Sequence, residues 1–595
     1  MKHFQYTLFS FFSAALFLTG CDLDRIPQDT LTLENYFNNQ KELETYTNGF
    51  YAIFPTAETI YGEQADIIIP TTLTEEVLGI RTIPASGGGW SWISLSDINT
   101  YLKYSGNCPD QAIREQYDGL ARFFRAYFYF EKIKRFGEVP WYDKPLTSTD
   151  NKLYTPRTSR EELLTKVIED VDYAIAHLQT NKSLYRVTKW TALALKSRIA
   201  LFEGTFRKYH QLTGSDTYLQ IASEAAKEFM DNSPYLLYTT GAQPYLELFA
   251  TDKAIDMEVI LARNYNTGQN IVHSVNQYFI SGGSKPGVNK KIIDSYLNAD
   301  GTRFTDMANY QTLQYHQEMQ NRDPRLSQTV ITPGYKRIGG STVLSPSFSS
   351  ATTGYQVIKW VTGIAQDGYN KSYNDMILFR AAEVLLNYAE SKAELGTLTQ
   401  SDLDASINKI RARVGMPALY MSAANATPDP YLQATETGYP NVTGDNKGVI
   451  LEIRRERTIE LLGEGFRYYD LIRWKEGKTF EKQFKGMYFP ALDAVKKFKV
   501  YDLNGNGMND AQDICIYADT SVPTSDTYPE LANVSIFLKL GENVELENGE
   551  NGGNVIIHDI RNTARTWNEN RDYLYPIPQD QITLYGGKLI QNPNW

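Results

Sequence analysis

The chain has 595 residues, a net charge of −11 and 42% apolar residues. That apolar share is enough for a large core, and the acidic balance argues against a nucleic-acid binder, which would carry a basic face. Aromatic content is high at 13%, with 41 tyrosines and 8 tryptophans. Such side chains join a flat apolar face to a polar tip, and suit helix packing and sugar stacking alike.

The first residues read as a secretory leader. Lys2 and His3 are basic, and the apolar run from Phe4 to Leu18 is broken by Gln5, Tyr6 and two serines. It falls short of the roughly 20 residues that span a bilayer, and its layout is that of a signal peptide. Leu18-Thr19-Gly20-Cys21 fits a bacterial lipobox, which predicts cleavage after residue 20 and a lipid on Cys21. Two or more acyl chains anchor far more firmly than one. Asp22 and Asp24 follow, a weak match to surface-export signals. No later segment reads as a membrane span. Cys108 and Cys515 remain; they could form one disulfide in an oxidising compartment, and no CxxC or zinc-like spacing occurs.

Helical periodicity begins at Thr32, a candidate cap, and runs to about residue 53. Residues 56–112 are mixed, centred on Gly87-Gly88-Gly89. Helices are predicted over 112–136 (ending at Gly137), 159–179 (capped by Thr158 or Ser159), 188–204 and 216–231. A large irregular insertion spans about 255–375, and helices return over 375–396, 401–414 and 446–476. The remainder to Trp595 is loop-rich. Ala389, Ala393, Gly396, Ala405, Ala412 and Pro417 fall at spacings similar to the tetratricopeptide repeat, in which small residues let two antiparallel helices pack closely. A generic helical hairpin is the alternative.

Between 446 and 476, Ile459, Leu462, Phe466 and Tyr469 fall on one helical face. Glu456, Glu460 and Glu464 stack at i,i+4, which is unfavourable without neutralising cations. Arg457, Arg467 and Arg473 are available, and Asp470 is in reach of Arg467 or Arg473. A structural ion-pair network is the preferred reading. Downstream, Asp502-Leu503-Asn504-Gly505-Asn506-Gly507-Met508-Asn509-Asp510-Ala511-Gln512-Asp513 follows the twelve-residue calcium-loop pattern. Asp502, Asn504, Asn506, Asp510 and Asp513 offer side-chain oxygens, Met508 its carbonyl, and Gly507 the turn. A structural calcium ion stapling a loop is the expectation; an Asn/Gly-rich turn without an ion is the alternative.

Four segments carry a family resemblance. They are 121–130 (ARFFRAYFYF) with 135–140 (RFGEVP), 380–390 (RAAEVLLNYAE), 454–474 (RRERTIELLGEGFRYYDLIRW), and the end, 575–578 (YPIP) with 591–595 (QNPNW). In this order, behind a lipobox, they closely resemble the SusD/RagB family of outer-membrane nutrient-binding lipoproteins. Asn594 departs from the glycine usual there. The resemblance implies a mostly α fold: tetratricopeptide-like helix pairs with a large irregular, loop-rich, ligand-facing portion. It implies leader 1–20, lipidated linker 21–35, an N-terminal helical region 36–254 and a C-terminal region 255–595 packed with it as one unit.

It also implies a surface lipoprotein on the outer membrane that captures oligosaccharides, or in some members peptides, and passes them to a SusC-like TonB-dependent transporter without catalysis. Family ligand contacts often come from the N-terminal loops. The glycan-site candidates are therefore Trp90 and Trp92, which would face the same way in a strand, with Arg81 upstream and Asp97 and Asn99 downstream; anchoring of one or both tryptophans to the core is the alternative. Tyr278, Tyr310 and Tyr315 are second candidates, and Trp141 and Trp360 read as packing. A glycosidase is the enzyme alternative, since paired carboxylates cannot be read from sequence; no HExxH, GxSxG, P-loop or strand-borne GxGxxG is present. A repeat scaffold binding only protein is the third reading, and it leaves the two tryptophans unused.

Overall fold

The computed structural model describes residues 32–147, 149–150, 152–557 and 564–595. The leader and Cys21 lie outside the described residues. The fold is mostly helical, as expected. The principal helices of the first half are α1 (Gln40–Thr47), α2 (Ile93–Tyr104), α3 (Gln111–Phe136), α4 (Arg160–His177), α5 (Lys189–Tyr209) and α6 (Ser215–Asn232).

Local chemistry sets their ends. Asp110 accepts from the Ile113 N–H at 3.1 Å to cap α3, and Gly137, at φ 74°, closes it. Ser159 caps α4, with Glu161 and Glu162 in the first turn where the helix dipole favours them. The expected helix from Thr32 is instead a 3₁₀ turn followed by α1, whose cap is Asn39.

Consecutive helices stack: α3 on α4, α4 on α5, α5 on α6. Gly204 lets α5 approach α6, since a Cβ there would lie 2.9 Å from the Leu219 backbone nitrogen.

In the second half, strands β1 (Val259–Arg263) and β2 (Met376–Arg380) pair antiparallel, Val259 opposite Arg380. The expected helix 375–396 therefore starts as a strand and becomes helical only at α7 (Ala381–Glu394). Next come α8 (Gln400–Ala405) and α9 (Ile407–Arg413), one expected helix broken at Ser406, whose φ of −129° and ψ of −90° are not helical. Helix α7 packs on α6, α9 and α10 (Lys447–Glu460), extending the stack of helix pairs. The expected helix 446–476 ends at Glu460. A turn with Gly463 and Gly465 at φ 73° and 81° leads into α11 (Arg467–Arg473), so Glu464 and Phe466 lie between two helices.

The loop-rich end contains two three-stranded sheets. One orders β3 (Lys485–Phe489), β8 (Gly553–Ile556) and β7 (Glu545–Leu546) antiparallel. The other orders β4 (Phe498–Tyr501), β5 (Ile514–Tyr517) and β6 (Ile536–Lys539), with β5 and β6 parallel. The largest apolar cluster runs from Phe37 to Leu589 and draws on both sides of residue 254, including Phe379 and Tyr468.

Cys108 and Cys515 are both buried and unpaired, so the disulfide does not form. Burial pushes the Cys515 thiol up to about 12. A thiol held protonated is unreactive.

Candidate functional site

The glycine loop before α2 is pinned to α3. Gly87, Gly88 and Gly89 all take positive φ, a conformation glycine adopts without strain. This exposes their carbonyls: Arg135 Nε donates to Gly88 at 3.1 Å and Lys132 Nζ to Gly89 at 2.5 Å. The anchoring draws both tryptophans onto the same helix. Trp90 is 6% exposed, its ring 4.9 Å from Phe136 and edge-on. Trp92 precedes the first turn of α2 and is half-buried against Phe128, Tyr129 and Tyr142, at 5.7, 6.2 and 5.3 Å. The two indoles meet edge-to-face, at 81°, so they do not form the shared platform a strand would give.

Arg81 is buried elsewhere. It donates to the Asp572 carbonyl and lies 4.5 Å from the Tyr575 ring centroid, fastening the C-terminal segment. Asn99, 1% exposed, donates to the Tyr142 carbonyl at 2.9 Å. Only Trp92 and Asn99 share a cavity, of about 120 Å³, with Tyr142, Lys144 and Tyr585. That is below the 300–1,000 Å³ typical of ligand pockets. Trp90, Trp92, Arg81 and Asn99, expected together in one glycan site, are thus mainly packing residues in this structure.

The secondary tyrosines are similar. Tyr315 is buried and donates to the Ile331 carbonyl. Tyr278 packs on Tyr61 at 5.1 Å, and Tyr310 on Phe304 at 6.0 Å. Trp360 is fully buried, and its indole donates to the Gly463 carbonyl at 3.0 Å. Trp141 stacks on Tyr129 at 4.3 Å.

A larger cleft of about 370 Å³ opens between α3, α5, β2 and α11. Its walls follow helical spacing: Tyr127, Phe130, Glu131 and Lys134 from α3, and Arg198, Leu201 and Phe202 from α5. Phe466 and Tyr469, both half-buried, come from the turn before α11 and from α11 itself. Segments 121–130, 380–390 and 454–474, which carry the family resemblance, supply much of its lining, but nothing in the sequence shows that they meet around one cleft.

Behind it lies a buried ionic cluster. Glu460 binds Arg413 at 2.5 Å and Arg380 at 2.7 Å, with Arg325 at 3.5 Å. Glu464 binds Lys359 at 2.6 Å and Arg380 at 2.7 Å, and Glu456 binds Arg411 at 2.7 Å and Arg325 at 2.9 Å. The stacked glutamates are neutralised, as expected, but by cations from other segments. Asp470 pairs with Arg457 and Arg473, both at 2.8 Å, while Arg467 pairs with Asp66 at 2.7 Å.

The calcium-like loop is the connection between β4 and β5. Asp502 Oδ1 and Oδ2 accept from the Gly505 and Gly507 N–H groups at 2.6 and 2.8 Å. Asn504 and Asn506 place their amides 2.9 and 2.7 Å from Asp510 Oδ2. Asp513, fully buried, accepts from Leu503 and Asp510 N–H, each at 3.0 Å. The two amides thus meet on Asp510, while Asp502 and Asp513 accept from the loop backbone. Met508 is exposed. Among the described residues, no group of three or more His, Cys, Asp or Glu is placed to hold a metal.

Comparisons place this fold among known proteins. Residues 252–595 match the model of the SusD family, and residues 91–201 match one described as starch-binding associating with outer membrane. SusD-like protein P25 of Formosa agariphila is 22% identical over 79% of this chain and 89% of its own length. SusD-like protein P38 of that organism is 24% identical over 60% of this chain and 66% of its own. A crystal structure of a SusD-like protein from Bacteroides fragilis superposes with a TM-score of 0.67 at 21% identity, covering 94% of this chain and 98% of that one. A SusD-like carbohydrate-binding protein of the same species gives 0.65 at 19% identity, covering 93% and 99%. The match to the SusD family model covers more than half of the sequence, and the chain belongs to that family.

Proposed function

We propose that this protein captures glycans at the outer membrane, holds them without cleaving them, and passes them to a SusC-like TonB-dependent transporter, tethered throughout by lipid on Cys21. The carrying observation is membership of the SusD family, matched over residues 252–595. Support for a carbohydrate ligand comes from the second matched segment, 91–201, whose model is described as starch-binding, and from fold neighbours named as carbohydrate-binding and laminarin-binding. Among the described residues, no helix is long and apolar enough to cross a membrane, which suits attachment by lipid.

Binding and turnover are separated by one experiment. The purified protein is titrated with starch, laminarin and xylan, with peptide pools in parallel, while free reducing ends are assayed. Saturable binding to a polysaccharide with no release of reducing ends is the expected result. Release of sugar would favour the glycosidase reading, and binding to peptides alone would favour a peptide-capturing member.

Calcium at 502–513 is a second part of this proposal. Asp502, Asn504, Asn506, Asp510, Asp513 and the Met508 carbonyl would hold the ion. The fit requires the Asn504 and Asn506 amides to turn their oxygens toward the ion, giving up the bonds those oxygens accept from the Asn506 and Met508 N–H groups at 3.0 and 2.8 Å. The gain is mechanical, because this loop is a junction. His316 Nδ1 hydrogen-bonds the Asp502 carbonyl at 2.8 Å, Ser345 donates to Gln512 at 2.6 Å, and Asn509 donates to the Glu530 carbonyl at 3.0 Å. Calcium at ten times its dissociation constant would stabilise the fold by about 1.4 kcal/mol. A chelator should therefore lower the thermal midpoint, added calcium should restore it, and Asp502→Ala should abolish the difference. A midpoint indifferent to chelator would remove the ion.

A further inference from the structure

The cleft between α3, α5 and α11 has the size of a ligand pocket and walls that are mainly aromatic and aliphatic. Phe54, Phe130, Phe202 and Phe466 supply ring surface, and Tyr127 and Tyr469 add hydroxyls. Neither hydroxyl has a hydrogen-bond partner among the described residues. The other polar groups are already committed. Asn387 accepts from Arg457 at 2.8 Å and donates to Ser197 at 3.1 Å.

Every charge on the wall is matched internally as well. Arg198 is held by Glu383 at 2.6 Å, Lys134 by Glu131 at 2.7 Å and Arg457 by Asp470 at 2.8 Å. A charged ligand would enter an apolar cleft with no free counter-charge, and burying an unpaired charge is costly. A neutral ligand that carries hydroxyls on a flat apolar ring meets no such penalty. It can stack on the aromatic wall and hydrogen-bond the two free tyrosine hydroxyls.

We infer that this cleft is a binding site for an uncharged sugar unit, the end or side branch of a neutral glycan, separate from the Trp90–Trp92 loop. The inference rests on the glycan-binding reading above and gives it a location and a chemistry. Of the lining residues, Thr59 is exposed on the single-turn helix Ala57–Tyr61 and Tyr469 is half-buried, which puts the solvent side of the cleft between them.

The test uses the purified full chain and four probes: maltose, laminaribiose, xylobiose and, as the charged control, glucuronate. Binding is read by calorimetry, and folding by circular dichroism. At least one disaccharide should bind and glucuronate should not. Tyr127→Phe and Tyr469→Phe keep the rings and remove only unbonded hydroxyls; each should weaken the disaccharide roughly two- to tenfold. Thr59→Trp, at an exposed position, should block the mouth and abolish binding. Disaccharide binding undiminished in all three folded variants would overturn the cleft assignment and leave glycan capture standing. Glucuronate binding better than the neutral sugars would overturn the uncharged-ligand inference. If neither the disaccharides nor the polysaccharides bind, both readings fall together.

Discussion

Glu460→Ala is expected to destabilise the protein by about 3–5 kcal/mol, the range for removing one partner of a buried ion pair, and so to unfold it under conditions in which the parent is stable. The carboxylate is fully buried and shared by Arg413, Arg380 and Arg325. These cations close α9, close β2, and sit in the one-turn helix Pro324–Ser327, so one side chain joins α10 to three separate segments. Removing it leaves three guanidiniums short of a shared partner where water cannot compensate. The Glu460 carbonyl also accepts from Tyr245 at 2.8 Å and Lys359 at 3.2 Å, and a displaced α10 end would loosen those bonds too.

Acid should reproduce part of this loss. Burial alone would raise the Glu460 pKa, but Arg413, Arg380 and Arg325 outweigh it and hold the carboxyl well below the usual range. Glu390 behaves alike: burial opposes ionisation, and Arg473 overrides it to bring the pKa to about 2. Carboxylates with depressed folded-state pKa values contribute stability that is present above their unfolded values, near 4.5, and lost as pH falls through the folded ones. Denaturant titrations from pH 6 to pH 2.5 should show stability falling below about pH 4.5. Glu460→Gln, which keeps the volume and removes the charge, should start less stable and fall less steeply. Equal stability of Glu460→Ala and parent at neutral pH would mean that the cluster does not hold these segments together.

The sequence announces the helical half of this fold well. Asp110, Ser159 and Gly137 are terminators whose chemistry acts within a few residues, so their meaning does not depend on the rest of the chain. The failures share one cause, dependence on distant partners. Met376–Phe379 is an apolar run of four residues closed by Arg380, too short for periodicity to separate strand from helix; pairing with Val259–Arg263 decides it. The stacked glutamates demand cations, but only the fold reveals that Arg325, Arg380, Arg411, Arg413 and Lys359 provide them.

Trp90 and Trp92 were legible as aromatics on a glycine loop, but sequence could not choose between a ligand platform and anchors to the core, and the structure shows anchors. Their neighbours Phe128, Lys132 and Phe136 form a stripe on α3 whose sequence reads the same whether or not a loop lies across it. The open cleft was not legible as a site, since Tyr127 and Tyr469, though in segments the sequence singles out, stand out as free hydroxyls only once every other polar group on the wall has a partner.

Cys21→Ala, behind a leader whose cleavage does not need the cysteine, is expected to move essentially all of the protein from the membrane fraction to the soluble fraction. Each buried methylene of an acyl chain contributes about 0.8 kcal/mol, and stable attachment takes more than one chain. With the acyl chains removed, the net charge of −11 would be repelled by an anionic surface. The cleft residues lie on α3, α5 and α11, so glycan affinity in solution should be unchanged. Fractionation after a high-salt wash, with surface labelling of intact cells, measures the first effect, and calorimetry measures the second. A variant that stays in the washed membrane fraction at the parent's level would show that the attachment is to protein rather than by lipid. The proposed transporter would then be the first partner to test, because a protein docked on it could remain there without a tether.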